Sequence, residues 1–391
     1  MSKQPVILKS GRDKPIRNRH HWIFSGAVAS MPEFVDGECL PVASSEGEPL
    51  GSAYFNRKAK IVGRMVSFDT KAPADAIRFH LDEALALRRF LFAQQDTNAC
   101  RLVNAEGDLL PGLIIDRYND VFVVQISTLG MENLRQTIVD WLVEKLNPRC
   151  IYEKSLIPAR QEEGLKDHQG SLFGGVPADA VNIMENGLLF SVSILHGQKT
   201  GFFLDHREMR LMLRGLAKGK RVLNCFAYTG GFSIYAAAGG ASIVDTVDIS
   251  AAAIEMAKKN MALNKLESSS HGFYAADVFQ FLREHPLDYD IVILDPPAFA
   301  KRQKDVVTAC RGYKDINRVA LQKMPKGSLL LTSSCSYHVD EDLFQTVVFQ
   351  AAVEAGKTVK ILGRHRMAPD HPINICHPES DYLKSLLLFV E

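Results

Sequence analysis

Arg221-Val-Leu-Asn-Cys-Phe-Ala-Tyr-Thr-Gly-Gly-Phe232 is the stretch that decides the fold. Mostly apolar residues run into a Thr-Gly-Gly turn, and a helix-forming segment follows. The pattern predicts a strand, a tight glycine loop and a helix start, with backbone brought close to a ligand where a Cβ would collide. One such loop is a weak signal. Four polar strand ends follow it in order: Asp248, Asp277, Asp295-Pro-Pro297 and Ser334-Cys335-Ser336. Polar groups at successive strand ends of a parallel α/β sheet face one crevice.

The alternation around this stretch is regular. Strands are expected at 222–226, 242–248, 272–275, 290–294, 328–333, 358–362 and 385–389. Helices are expected at 231–238, 251–263, 278–284, 315–323 and 341–355, with Ser250 as the N-cap of the second. Strands alternating with helices predict a doubly wound, Rossmann-like sheet. Upstream, 181–184 and 188–194 flank Asn186-Gly187, a hairpin signal. Residues 75–92 predict a helix with Leu81, Leu85, Leu87 and Leu91 on one side. Strands at 113–115, 121–127 and 150–153 and a helix at 131–146 predict a small central α/β domain. Short strand-like runs at 6–8, 39–42, 49–55 and 61–66 predict a small N-terminal β-barrel. The expected boundaries are 1–72, 73–186 and 187–391.

Net charge is +1, so no overall field points at nucleic acid or a membrane. Residues 1–22 nonetheless carry six basic side chains (Lys3, Lys9, Arg12, Lys14, Arg17, Arg19) against the single acid Asp13. A basic arm suits phosphate, and a solvated terminus is the bland alternative. Seven scattered cysteines without a C-x-x-C pair argue against zinc and against a disulfide framework, so no metal is expected. No apolar run of about 18 residues is present to span a bilayer. The expectation is a cytoplasmic chain with reduced thiols and no membrane partner.

The crevice residues fit S-adenosylmethionine. The loop, with Asn224, Phe226, Tyr228, Thr229, Gly230, Gly231 and Phe232, would lie at the amino-acid end of that molecule. Asp248, with Ser250 behind it, would accept the ribose hydroxyls. Asp277 would accept from the adenine amine, and Val278 or Phe279 would pack on the ring. Thr200 and Phe202 lie in a polar, Gly-rich segment, Leu195–Arg207, that would close over the methionine end. The loop lacks a Walker Lys-Ser/Thr and is not G-x-G-x-x-G, which disfavours ATP and NAD. Any one of these aspartates alone would more often be a cap or turn carboxylate. Their joint placement at consecutive strand ends reverses that balance.

Two further residues carry chemistry. Asp295-Pro296-Pro297 ends a buried strand, and the prolines stiffen the backbone beyond it. Cys335 ends the next strand. Carbon 5 of cytosine is a poor nucleophile until a thiolate adds at carbon 6, so Cys335 is the expected nucleophile and Asp295 the expected acid near N3. Cys225 lies inside a strand and reads as core. Arg311 and Lys314, in the run Arg311–Asn317, would reach RNA phosphate or base edges; a solvated helix start is the alternative.

These residues resemble the ribosomal RNA large-subunit methyltransferase I family of 5-methylcytosine enzymes, over essentially the whole length. The resemblance is carried by Lys9-Ser-Gly-Arg12, His21-Trp-Ile-Phe-Ser-Gly26, Pro111-Gly112, Ile115-Asp116-Arg117, Gln198-Lys-Thr-Gly201, Asn224–Phe232, Asp295-Pro-Pro297, Arg311–Asn317 and Ser334-Cys-Ser336. It implies an N-terminal PUA-type RNA-binding barrel contacting RNA through residues such as Lys9, Arg12 and His21. It further implies a central α/β domain, a C-terminal class I methyltransferase domain, Cys335 as nucleophile and 23S ribosomal RNA as substrate. Many relatives have Lys directly after Asp-Pro-Pro, whereas this chain has Ala298, with Lys301 three residues on. Methylation of an exocyclic base amine needs no cysteine but usually wants an aromatic residue at position 298. A non-catalytic RNA-binding chain would not need the Asp248, Asp277, Asp295 and Cys335 set. The oligomeric state stays open between monomer and homodimer.

Overall fold

The computed structural model describes residues 3–391. Short alternating runs near the start form six strands: β1 (Val6–Leu8), β2 (Trp22–Phe24), β3 (Val28–Ser30), β4 (Cys39–Ala43), β5 (Pro49–Phe55) and β6 (Ile61–Ser67). A short helix, α1 (Lys14–Arg17), precedes β2, and the sheet order is β2-β6-β5-β4-β1-β3. Inward residues such as Val6, Leu8, Val42, Ala53 and Met65 are buried, as period-two alternation requires.

Helix α2 (Pro73–Leu91) follows, with Ile77, Leu81 and Leu85 in its buried stripe. The stripe continues through Arg88 and not through Leu91. The Arg88 guanidinium forms two hydrogen bonds to the Asp108 carboxylate, at 2.5 and 2.7 Å. Five strands come next: β7 (Ala99–Asn104), β8 (Leu113–Tyr118), β9 (Val121–Ile126), β10 (Cys150–Ser155) and β11 (His168–Phe173), with order β11-β10-β9-β8-β7. Between them lie α3 (Leu129–Asn133), α4 (Arg135–Leu146) and α5 (Ala159–Glu162). Strand β7 has no apolar alternation to announce it; its Arg101 is buried because Asp116 pairs with it at 2.8 Å.

The N-terminal sheet shares a core with the strands that follow it. Tyr54 and Val66 belong to the same core as Leu81, Leu113, Val124 and Trp141. The Tyr54 hydroxyl donates to Pro111 O at 2.9 Å. A Cβ at Gly130 would fall 2.0 Å from the Tyr54 ring, so only glycine admits the ring there. Residues 1–184, 192–204 and 369–380 accordingly form one compact unit.

The second unit comprises residues 185–191, 205–368 and 381–391. Strands β12 (Val181–Glu185) and β13 (Leu188–Val192) flank Asn186-Gly187, whose φ values of 50° and 77° suit a type I′ turn. Helix α6 (Arg207–Leu216) follows. Its charged sequence hides a buried face, on which Arg210 pairs with the fully buried Glu185 at 2.7 Å.

The main sheet contains β14 (Arg221–Cys225), β15 (Ile243–Asp248), β16 (Gly272–Ala275), β17 (Ile291–Leu294), β18 (Leu329–Ser334), β19 (Val359–His365) and β20 (Lys384–Val390). Its order is β16-β15-β14-β17-β18-β20-β19. The first five strands pair in parallel; β20 runs antiparallel between β18 and β19. Helices α7 (Gly231–Ala238), α8 (Ala251–Leu263), α9 (Val278–Glu284), α10 (Val306–Lys323) and α11 (Glu341–Glu354) complete the unit.

Both faces of the sheet are covered. Leu223, Cys225, Val292 and Leu294 pack with α9, α10 and α11. Val222, Ile291 and Ile293 pack with Met209, Phe232 and Met261 of α6, α7 and α8. Two-sided burial is what makes these strands read as nearly continuous apolar runs. Helix α10 begins at Val306, well before the expected 315, and runs through Gly312. A Cβ at Gly312 would come 3.1 Å from the Phe299 ring, which uses that space. Among the described residues no helix is long and apolar enough to cross a membrane.

Candidate active site at the carboxyl edge of the main sheet

The chain enters the sheet at β14, moves outward through β15 and β16, then returns to the other side of β14 as β17. That reversal is a topological switch point, and ligands bind outside the strand ends there. The loop after β14 and the Asp295 turn after β17 occupy its two sides.

The loop is held in an uncommon conformation. Phe226 and Tyr228, neither of them glycine, have φ of 58° and 48°, and Gly230 has φ of 78°. Such residues cost of order 1–3 kcal/mol each and persist only when surroundings over-determine them. Asp248 supplies that constraint. Its Oδ2 accepts the Tyr228 N–H at 2.8 Å, and its Oδ1 accepts the Ser250 N–H at 2.9 Å. A Cβ at Gly230 would lie 2.8 Å from Ala257 Cβ, so α8 packs directly on the turn. Asn260 Nδ2 ties the Thr229 carbonyl at 3.1 Å. Asn224 is buried and donates to Ser233 Oγ at 2.9 Å.

The remaining expected cofactor residues divide. Ser250 caps α8, its Oγ accepting the Ala253 N–H at 3.2 Å. Asp277 is exposed and caps α9, its Oδ1 accepting the Gln280 N–H at 2.9 Å. A carboxylate has lone pairs enough to cap a helix and accept from a ligand. Val278 is 2% exposed inside the core, so the half-buried Phe279 is the ring nearer the surface. Phe232 is also core, edge-on to His206 at 5.7 Å. Gly231 begins α7. Thr200 and Phe202 belong to the first unit, where the Thr200 hydroxyl donates to Asp116 Oδ2 at 2.6 Å and the Phe202 N–H to the Tyr118 hydroxyl at 3.1 Å.

Asp295 follows β17, and Pro296 behind it is buried. The Cys335 Sγ lies 3.8 Å from Pro296 O, so thiol and aspartate turn share one stretch of the sheet edge. Cys225 is fully buried, and burial pushes its thiol far above the ordinary range, as its core reading requires.

Sequence reasoning missed two neighbours. His206 Nε2 stands 3.5 Å from Asp295 Oδ2; the buried imidazole sits one residue after Asp205, which accepts from the Tyr382 hydroxyl at 2.6 Å. The run Asp205-His206-Arg207 was legible as polar but gave no sign of its partner. Lys384 is the other, 5% exposed at the start of β20.

The expected RNA-contact residues differ in their surroundings. His21 is 1% exposed, with its ring against Phe68 and its Nδ1 bonded to Met65 O at 2.9 Å. It is a core residue and does not reach RNA from there; burial lowers its pKa to about 4. Lys314 is tied to Glu354 at 2.7 Å on the flank of α10. Arg311, by contrast, is exposed, as is Arg12. Lys9 donates to Gly26 O at 3.1 Å. Arg12, His20, Trp22 and Phe24 line a cavity of about 540 Å³ on the N-terminal sheet.

One cluster among the described residues has metal-ligand types: His20, His377 and Glu379. The His20 Nδ1 accepts the Trp22 N–H at 3.2 Å, which puts the ring proton on Nε2, facing Glu379 at 3.2 Å. That nitrogen is a donor to a carboxylate and has no lone pair for a cation.

The fold and switch-point site define an α/β methyltransferase dependent on S-adenosylmethionine. An S-adenosylmethionine-dependent methyltransferase model matches residues 159–386, and a PUA-like domain model matches residues 6–68. Curated relatives narrow the class. The chain is 41% identical to the ribosomal RNA large subunit methyltransferase I of Shewanella denitrificans, over 98% of both chains. It is 43% identical to that of Aliivibrio fischeri, over 97% of both. A solved structure named SMU.776, complexed with SAH, is 25% identical with a TM-score of 0.85, covering 99% of this chain and 100% of its own. The chain belongs to the ribosomal RNA large subunit methyltransferase I family, and S-adenosylmethionine is its cofactor.

Proposed function

We propose that the chain methylates carbon 5 of a cytosine in RNA, with large-subunit (23S) ribosomal RNA as the substrate and the cytoplasm as its location. The observation that carries the chemistry is the 3.8 Å approach of the Cys335 thiol to Pro296 O, beside Asp295. The relatives' names supply the RNA class. Residues 1–72, 73–186 and 187–391 would serve as RNA-binding, connecting and catalytic parts, with Lys9, Arg12 and Arg311 on the RNA.

The chain's own residues fit the cofactor. Asp248 keeps unused lone pairs on both oxygens after bonding Tyr228 and Ser250, enough for a ribose diol. The positive-φ loop Phe226–Gly230, with Asn224, Thr229, Gly231 and Phe232 supporting it, offers backbone to the amino-acid end. Asp277 and Phe279 stand at the adenine end, and Pro296 with the Asp295 turn closes the floor. When bound, S-adenosylmethionine supplies an electrophilic methyl group.

Cys335, as thiolate, adds to carbon 6 of the base, and Asp295 in its acid form gives N3 a proton. Electron density then gathers on carbon 5, which would take the methyl group as its bond to the sulfonium breaks, leaving S-adenosylhomocysteine. Loss of the carbon-5 proton to a base, return of the N3 proton to Asp295 and cleavage of the C6–S bond release 5-methylcytosine and the thiolate. His206, 3.5 Å from Asp295, orients that carboxyl group. The target base must be unstacked or single-stranded, since stacking hides carbon 6.

RNA containing 5-fluorocytidine tests this, because fluorine cannot leave as a proton. With S-adenosylmethionine present the wild-type chain is expected to give an RNA-linked band on a denaturing gel. Cys335→Ala should give none, and Cys225→Ala should still trap. Full methylation by Cys335→Ala would overturn the mechanism and favour exocyclic-amine chemistry.

A further inference from the structure

We propose that Lys384 is the cation that keeps Cys335 in its thiolate form, a positioning role that rests on Cys335 being the nucleophile. Strand β20 runs antiparallel to β18, and in that register Lys384 stands opposite Ser334. Its Nζ nevertheless donates to Ser336 O at 2.7 Å. The side chain therefore spans from the residue before Cys335 to the residue after it, which brings the ammonium to the backbone that carries the thiol.

Lys384 is 5% exposed, and a buried ammonium without a carboxylate is costly. It has three N–H donors, and among the described residues Ser336 O accepts one of them. A lysine that serves only packing would find a carboxylate or reach water. Of the charges that favour its ammonium form, the one Cys335 would carry acts most strongly, ahead of Asp340.

The surrounding charges are few. Asp340, the N-cap of α11, draws the lysine toward its charged form, as the Cys335 thiolate does; Arg366 opposes it. Arg366 is itself paired with Glu341 and Asp381. From α10, the Tyr313 hydroxyl bonds Ser336 Oγ at 2.9 Å, and its phenol is raised by burial and by Cys335. Asp295, with His206 beside it, comes from the β17 side. Burial brings Lys384 itself down to about 8. The thiol proton passes to the Lys384 amine, or to water when the lysine is already charged. Either way the pair ends as ammonium and thiolate.

The test is the pH dependence of Cys335 alkylation by iodoacetamide in the full-length protein, read by mass spectrometry of the Cys335 peptide. The half-buried Cys376 serves as the internal reference. In the wild type the Cys335 midpoint is expected below the ordinary thiol range near 8.5. Lys384→Met should raise it by about one pH unit or more, which slows alkylation at neutral pH about tenfold. Lys384→Arg should hold it near the wild-type value, and Cys376 should be unmoved in all three. A Lys384→Met midpoint equal to the wild type overturns the proposal. If Lys384→Met does not fold by circular dichroism, the wild-type midpoint decides: a value at or above 8.5 overturns it. None of these readouts uses RNA, so failure of the Cys335 mechanism is seen separately, in the fluorocytidine gel.

Discussion

Replacing Asp248 with alanine separates two jobs that one carboxylate is proposed to do. In the free protein its oxygens take the N–H groups of Tyr228 and Ser250, at 2.8 and 2.9 Å. Hydrogen bonds to charged groups contribute roughly 1.5–3 kcal/mol. Asp248 and both amides are at half-buried residues, so water partly replaces the lost acceptor, and the loss in folding stability should fall near the lower figure. The bound ribose has no such replacement. Its two hydroxyls lose a charged acceptor, which weakens cofactor binding by about 1.5–3 kcal/mol, or about 10- to 150-fold in Kd. Asp248→Asn keeps one acceptor oxygen and should fall between. Isothermal titration calorimetry with S-adenosylhomocysteine measures the Kd, and a urea melt measures the stability. An Asp248→Ala Kd within twofold of wild type would refute the ribose assignment. A stability loss with an unchanged Kd would leave Asp248 a loop-building residue only.

Three other outcomes are expected. Gly230→Ala places a Cβ 2.8 Å from Ala257 at φ 78°, and should lose about 2–4 kcal/mol by chemical denaturation through backbone strain and overpacking together; a loss under 1 kcal/mol would mean that the turn relaxes freely. His21, buried neutral with a pKa of about 4, binds fewer protons folded than unfolded between that value and about 6.5, so its contribution to stability is lost as pH falls through that window; His21→Gln should flatten this part of the denaturation-midpoint profile, and an unchanged slope would contradict the burial argument. Arg12→Ala and Arg311→Ala should each reduce the salt dependence of RNA affinity by about one counterion in filter binding, whereas Lys314→Ala, already paired with Glu354, should not.

The catalytic sheet was legible because its strands are buried on both faces and its helices carry caps and apolar stripes. Ser250 at the start of α8 and the Leu223–Cys225 run are examples. The elements that escaped reading are those whose burial depends on a distant partner. Arg101 sits in β7 because Asp116 neutralises it, and Arg210 is inside because Glu185 is. No local period reveals such pairs. Helix α10 starts earlier than the expected 315, with Gly312 inside it, where the absence of a side chain serves Phe299. Asp248, Asp295 and Cys335 could be placed at one sheet edge from strand ends alone. His206 beside Asp295 and Lys384 on Ser336 O could not, because their positions follow from strand order and register.

The placement of β20 has a consequence for how this protein is made. It comes after every other strand of its sheet in the chain, yet it lies between β18 and β19 and pairs with both. A nascent chain can therefore assemble β14 to β18 but must leave one edge of that sheet raw, and β19 homeless, until residues 384–390 emerge. Premature termination even a few residues before Lys384 would remove an interior strand, so truncated translation products should be cleared as misfolded chains and never linger as weakened enzymes.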